Sequence, residues 1–227
     1  MLFLVATGVY AQQGSQALRA MSSPPPSPED HGYVVVLDAA HGGANLGALL
    51  QAGLDEKTFT LNLANRLSAQ LRARSISVIL TRNADVDISG DARAGSMNHA
   101  HAAACLSLHA TASGNGVHLF TSSLPSRADA AGQRDFVPWQ TAQSRFITQS
   151  LRLESEVKTA LAREQIPVLL GRTTLMPLES ATCPAIAVEI APLNANTPAT
   201  DPKYQQQIVD ALASALAHWS TDWRTQP

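Results

Sequence analysis

The sequence predicts an α/β fold: one domain built on a mostly parallel, twisted sheet of about six strands with helices on both faces. Three observations lead there. Short apolar runs recur along the chain and are continuous rather than alternating, as expected of strands covered on both faces. Between them lie stretches whose apolar residues return at helical spacing. The His and Glu residues that stand out chemically fall at the C-terminal ends of those runs or at the first turn of a helix, and open α/β sheets place their ligands at the carboxyl ends of their strands.

Residues 1–11 are apolar from Leu2 to Val9 and then read Tyr10-Ala11-Gln12, which resembles the apolar part of a secretory signal cleaved after Ala11. No Lys or Arg precedes the run, and it is too short to span a bilayer, so no transmembrane span is expected. The expectation is an exported protein, periplasmic or extracellular. Residues 12–31 contain Ser22-Ser-Pro-Pro-Pro-Ser-Pro28, an extended polyproline linker. The folded domain is expected over residues 32–222, with residues 223–227 as a tail.

Within that domain, Tyr33-Val-Val-Val-Leu-Asp38 is the first strand, and Gly42, Gly43 and Gly47 mark the loop after it. A helix follows over residues 56–74, with Leu61, Ala64, Leu67 and Leu71 on one face. Ser75-Ile-Ser-Val-Ile-Leu80 is a second strand, and the Ala-rich residues 91–104 suit a helix. Cys105-Leu-Ser-Leu-His109 and Gly116-Val-His-Leu-Phe-Thr121 read as strands, and residues 125–139 as a loop. Residues 140–164 read as one long amphipathic helix and Pro184-Ala-Ile-Ala-Val-Glu-Ile190 as a buried strand. Residues 204–219 close the domain as a helix, with Ile208, Leu212, Leu216 and Trp219 on one side.

A chain of 227 residues can bury one sizeable core. The net charge of −2, without a basic block, excludes nucleic acid as a partner, because phosphate binding needs clustered Lys and Arg. Cys105 and Cys183 form no CxxC pair and cannot build a zinc knuckle. Two buried free thiols are expected; a disulfide requires that the strands they precede be neighbours, in an exported protein. Nothing in the chain signals its oligomeric state.

The chemistry lies in four segments: Asp38-Ala-Ala-His41-Gly42-Gly43, Glu56-Lys57, Ser107-Leu-His109-Ala110 and Val188-Glu189-Ile190. A catalytic zinc takes three protein ligands and keeps a fourth position open. His41, Glu56 and His109 supply suitable donors for one zinc ion per chain. Glu189, on an apolar strand where an idle carboxylate would be costly, is the candidate acid/base. Asp38 is a candidate either to orient the loop or to support a ligand histidine from behind. Of the remaining histidines, His99 and His101 are two apart on the expected helix and read as surface or packing residues, His118 and His218 suggest no partner, and His31 lies at the linker. The chain has no His-Glu-x-x-His and no Lys-Ser/Thr after its glycines, which argues against the common metalloprotease design and against nucleotide binding.

Taken in order, these segments resemble the zinc-dependent N-acetylmuramoyl-L-alanine amidases of the type 3 family, which cleave bacterial peptidoglycan. That family reads strand-Asp-Pro-Gly-His-Gly-Gly, Glu-Lys opening a helix, Thr-Arg after the second strand, Arg then Ala-Asn in the next helix, Ser-Ile-His-Ala-Asn, and Val-Glu-Ile-Gly-Phe followed by Asn. This chain has Asp38-Ala-Ala-His41-Gly-Gly, Glu56-Lys57, Thr81-Arg82, Arg93 with Met97-Asn98, Ser107-Leu-His109-Ala-Thr111, and Val188-Glu189-Ile190-Ala-Pro-Leu-Asn194. The resemblance covers nearly all of the folded region. It implies zinc on His41, Glu56 and His109, catalysis by Glu189, and hydrolysis of the amide between N-acetylmuramic acid and L-alanine in peptidoglycan or muropeptides. Arg82, Arg93 and Asn98 are then candidates either to contact substrate or to brace the fold. Ala39-Ala40 in place of Pro-Gly, Thr111 in place of Asn and Ala191-Pro192 in place of Gly-Phe depart from the pattern, and motivate an alternative: a catalytically silent wall-binding or regulatory module on the same fold.

Overall fold

The computed structural model describes residues 32–127 and 137–225. The expected signal-like segment and the linker lie outside the described residues. A six-stranded sheet has the order β2-β1-β3-β6-β4-β5, where β1 is Val34–Ala39, β2 Ser77–Leu80, β3 Ala104–Ala110, β4 Val117–Ser122, β5 Val168–Thr173 and β6 Ala185–Ile190. The pairs β2·β1, β1·β3 and β3·β6 are parallel; β4 runs antiparallel to β6, with β5 parallel to β4. The sheet is thus mostly parallel, with one reversal.

Burial on both faces accounts for the continuous apolar runs. Val35 and Leu37 of β1 point into the larger core with Phe59, Leu63, Leu67 and Leu71 of α1 (Glu56–Arg72), Leu153 and Val157 of α3 (Ile147–Arg163), and Ile208, Leu212 and Leu216 of α4 (Pro202–Thr225). Val36, Cys105, Ala185 and Ala187 point the other way, against Met97 of α2 (Gly90–His99) and Leu178 of a 3₁₀ turn (Leu178–Ser180). Small side chains dominate this second face, so the layer on it is thin. Trp219 anchors α4 by donating from its indole nitrogen to the Ala103 carbonyl at 2.9 Å. Among the described residues, no helix is long and apolar enough to cross a membrane.

Several elements differ from expectation for identifiable reasons. The Ala-rich helix stops at His99, because His101 turns left-handed (φ 46°) and the alanines after it enter β3. The long helix is split: Trp139–Arg145 is 3₁₀ with a kink at Thr141, and α3 starts at Ile147. Gln143 is fully buried there and donates to the carbonyls of Ala181 and Cys183, so tertiary hydrogen bonds hold the tighter winding. Strand β5 went unseen in the sequence because it is a half-exposed edge interrupted by Gly171 and Arg172. Helix α4 runs to Thr225, into the expected tail.

Cys105 and Cys183 are joined in a disulfide, not held as free thiols. The strands they precede or begin, β6 and β3, are neighbours, and both sulfurs sit in the thin second core. Closing a loop of 78 residues stabilises by about 4.5 kcal/mol in the chain-entropy account. Replacing both cysteines by serine is expected to lower unfolding stability by ~2–5 kcal/mol. Urea midpoints with and without reductant check this; a wild-type midpoint indifferent to reductant would refute the bridge.

Candidate metal centre and acid/base

The loop after β1 is built around strain. His41 is left-handed (φ 61°), followed by Gly42 (φ 135°) and Gly43 (φ 57°). For a non-glycine this conformation costs ~1–2 kcal/mol and persists only when its surroundings over-determine it. Two buried guanidinium groups do so. Arg82 donates to the carbonyls of Ala39 (2.8 Å) and Ala40 (3.0 Å), and Arg93 to those of Ala39 and His41 (both 2.7 Å). Arg93 also pairs with Asp38 at 2.7 Å. Burial and the nearby Arg93 charge push the Arg82 guanidinium below its ordinary range, against the pull of Asp85 and Asp38. Both arginines therefore brace the loop, and their donors face backbone rather than open cleft.

Glu56 opens α1 and turns its carboxylate back toward this loop. Its Oε2 accepts from the Ala48 N–H at 2.8 Å and lies 3.0 Å from His41 Nε2. Its Oε1 accepts from the Ala110 N–H at 3.1 Å and lies 3.0 Å from His109 Nδ1. Burial alone would raise this carboxyl, but the bonds from His109, His41 and the two amides hold it well below the carboxylate range. His41 is raised in turn, chiefly by its bond to Glu56 and against burial.

One donor atom each from His41, Glu56 and His109 lies within 4.8 Å of the others. Two imidazoles and a carboxylate form a donor set that suits zinc. The outer atoms are also arranged for it. His41 Nδ1 lies 2.9 Å from Asn45 Oδ1, which favours a proton on Nδ1 and leaves Nε2 as the donor. On the other side, His109 Nε2 lies 3.4 Å from Ser107 Oγ, and Ser107 donates to Asp38 Oδ2 at 2.8 Å. Asp38 thus reaches the cluster through Ser107, while its Oδ1 takes Thr81 and Arg93. Gly47 closes the cluster: a Cβ there would stand 2.7 Å from both Glu56 Oε2 and the His41 ring.

Glu189 sits one strand away. The register pairs His109 of β3 with Glu189 of β6, and Glu189 with His118 of β4. The three side chains share a row on the thin face, and His118 Nδ1 lies 2.7 Å from Glu189 Oε2. A cleft of roughly 240 Å³ opens beside them, lined by His109, Glu189, Phe120, Thr173, Leu175 and Ala187. Glu189 is half-buried rather than enclosed. His118 had suggested no partner. Its strand and face were readable from alternation in Gly116-Val-His-Leu-Phe, but the neighbour that β4 would choose was not.

Asn98 stays outside this group. It lies near the end of α2 and bonds Ser180 and Thr182, tying down the segment that feeds the start of β6, at the end of the sheet away from the donors. His218 pairs with Glu156 at 3.0 Å between α4 and α3, and His99 lies 2.7 Å from the Gly95 carbonyl on the surface of α2.

Comparison with known proteins agrees on one family. The model of the N-acetylmuramoyl-L-alanine amidase family matches residues 35–218. The chain is 36% identical over 92 residues to the N-acetylmuramoyl-L-alanine amidase AmiC of Neisseria meningitidis serogroup B, a match covering 38% of this chain and 22% of that protein. It is 24% identical over 212 residues to the germination-specific N-acetylmuramoyl-L-alanine amidase of Bacillus subtilis, covering 84% of this chain and 81% of that one. Among solved structures, the N-acetylmuramyl-L-alanine amidase Ami1 from Mycobacterium smegmatis superposes with a TM-score of 0.66 at 22% identity, over 84% of this chain and 98% of that one.

Proposed function

Because the chain belongs to the N-acetylmuramoyl-L-alanine amidase family, we propose that it hydrolyses the amide joining N-acetylmuramic acid to L-alanine in peptidoglycan, with zinc held by His41, Glu56 and His109 and with Glu189 as acid/base. The observation that carries this reading is the convergence of those three donors within 4.8 Å, one strand away from a carboxylate at the cleft wall.

A zinc ion held there would supply Lewis acidity, activating water and polarising the scissile carbonyl. Glu189 takes the proton from the attacking water and returns it to the leaving nitrogen, so the amine departs neutral. His118 engages Oε2, which leaves Oε1 as the oxygen that handles the proton. Phe120, Leu175 and Ala187 offer an apolar wall for the uncharged atoms beside the amide. Arg82 and Arg93 bond the carbonyls of Ala40 and His41 and so hold His41 in its left-handed geometry. The disulfide supports export, since such bridges persist in oxidising compartments.

The departures from the family pattern strain no backbone and so give the silent reading no support. Left-handed non-glycine positions among the described residues are His41, Ser75, His101 and Gln165, so Ala39 and Ala40 adopt conformations open to any L-residue. Ala191 and Pro192 carry ordinary backbone bonds to Gly116. Mass spectrometry of purified sacculi incubated with the protein, with and without a chelator, tests the proposal. Free stem peptides are expected without chelator and none with it. Binding to sacculi without release at full zinc occupancy would establish the silent alternative.

A further inference from the structure

We propose that His118 is a positioning residue for Glu189: it pins one carboxylate oxygen so that the other faces the cleft. The inference rests on the amidase reading above. Its first support is the 2.7 Å contact between His118 Nδ1 and Glu189 Oε2, across directly paired residues of antiparallel strands. A glutamate side chain on a strand has three rotatable bonds, and a half-exposed one samples several rotamers. A bond from the neighbouring strand removes most of that freedom, and general-base catalysis depends on the acceptor standing within hydrogen-bond reach of its proton.

The second support is the mounting of the histidine. Its side chain is 12% exposed against 30% for Glu189, so the partner is the more rigid of the pair. Gly114 (φ 99°) passes against the ring: a Cβ there would fall 2.6 Å from His118 Cε1 and 2.9 Å from Nε2. The far edge of the imidazole therefore faces backbone, and the cleft is lined by Glu189 and His109 but not by His118. This orientation separates a positioning role from a direct one. His118 has its Nδ1 on the carboxylate and no nitrogen toward the reacting atoms, so it donates Nδ1–H to Glu189 and orients it from outside the reaction.

Three variants test this, with kcat, KM and bound zinc per chain measured on a muramoyl-peptide. His118→Ala is expected to lower kcat ~10–100-fold, the range for groups that orient a catalytic ligand, with KM within about twofold and zinc unchanged. His118→Asn places an amide N–H near the position of Nδ1 and is expected to restore most of kcat. His118→Gln, whose amide sits nearer Nε2, is not. Wild-type kcat in His118→Ala overturns the inference, as does an Asn variant as slow as the Ala variant. Loss of zinc in His118→Ala also overturns it, because the histidine would then serve the metal. Should the Ala variant fail to fold, the contrast between Asn and Gln still decides. A wild-type protein inert at full zinc occupancy would instead overturn the amidase reading itself.

Discussion

Glu189→Gln is expected to lower kcat by ~10²–10⁴-fold while one zinc stays bound per chain, the range that general acid–base catalysis supplies. Glutamine preserves the volume and offers His118 an oxygen to bond, so the row across β3, β6 and β4 keeps its packing. The loss is one of proton affinity: an amide oxygen does not accept a proton from water at neutral pH. Metal analysis beside turnover of a muramoyl-peptide separates this from a folding defect. Normal turnover in that variant would remove Glu189 from the chemistry.

The second large effect needs no donor to be deleted. Gly47→Ala is expected to reduce bound zinc to a small fraction of one per chain, as His109→Ala does. A methyl group at residue 47 would lie 2.7 Å from Glu56 Oε2 and from the His41 ring, inside contact distance of two of the three donors. The backbone there is also left-handed (φ 70°), which adds ~1–2 kcal/mol for a residue with a side chain. Relief requires Glu56 to leave His41, and the cluster then opens. Metal content of the purified variants checks this; stoichiometric zinc in His109→Ala would refute the ligand set, and in Gly47→Ala the packing argument.

What could be read from the chain depended on how local its cause was. Val34–Ala39 and Ala185–Ile190 were legible as strands because burial on both faces demands an unbroken apolar run. Helix α1 was legible from its stripe, and Glu56 from its place at the first turn. The residues that meet around Glu56 could be nominated because each sits at the end of its own element. The rest needed knowledge of neighbours. The disulfide follows from β3 lying beside β6, and the part played by His118 from β4 lying on the other side of β6. Strand order leaves no mark on composition or period. Asn98 and the two arginines show the same limit from another direction: each is polar and inward, yet which backbone carbonyl it meets is decided far away in the sequence.

The reversal of β4 sets how the chain must be spaced. Were β4 parallel to β6, the chain would first have to return to the far end of the sheet, a full crossover away from the donors, before reaching His118. Because β4 runs back, His118 is nine positions after His109 in the numbering yet lands two strands over in the same row. The link between them, residues 111–116, passes over the end of β6. A one-residue slip of β4 against β6 would present Val117 or Leu119 where His118 now stands, because neighbouring strand residues point to opposite faces; burial of Val117 and Leu119 in the larger core holds the register against it. Within that link Asn115 donates to the Leu193 carbonyl at 2.7 Å and Gly116 exchanges backbone bonds with Ala191 and Pro192, so the segment that carries His118 back is fastened to the end of β6.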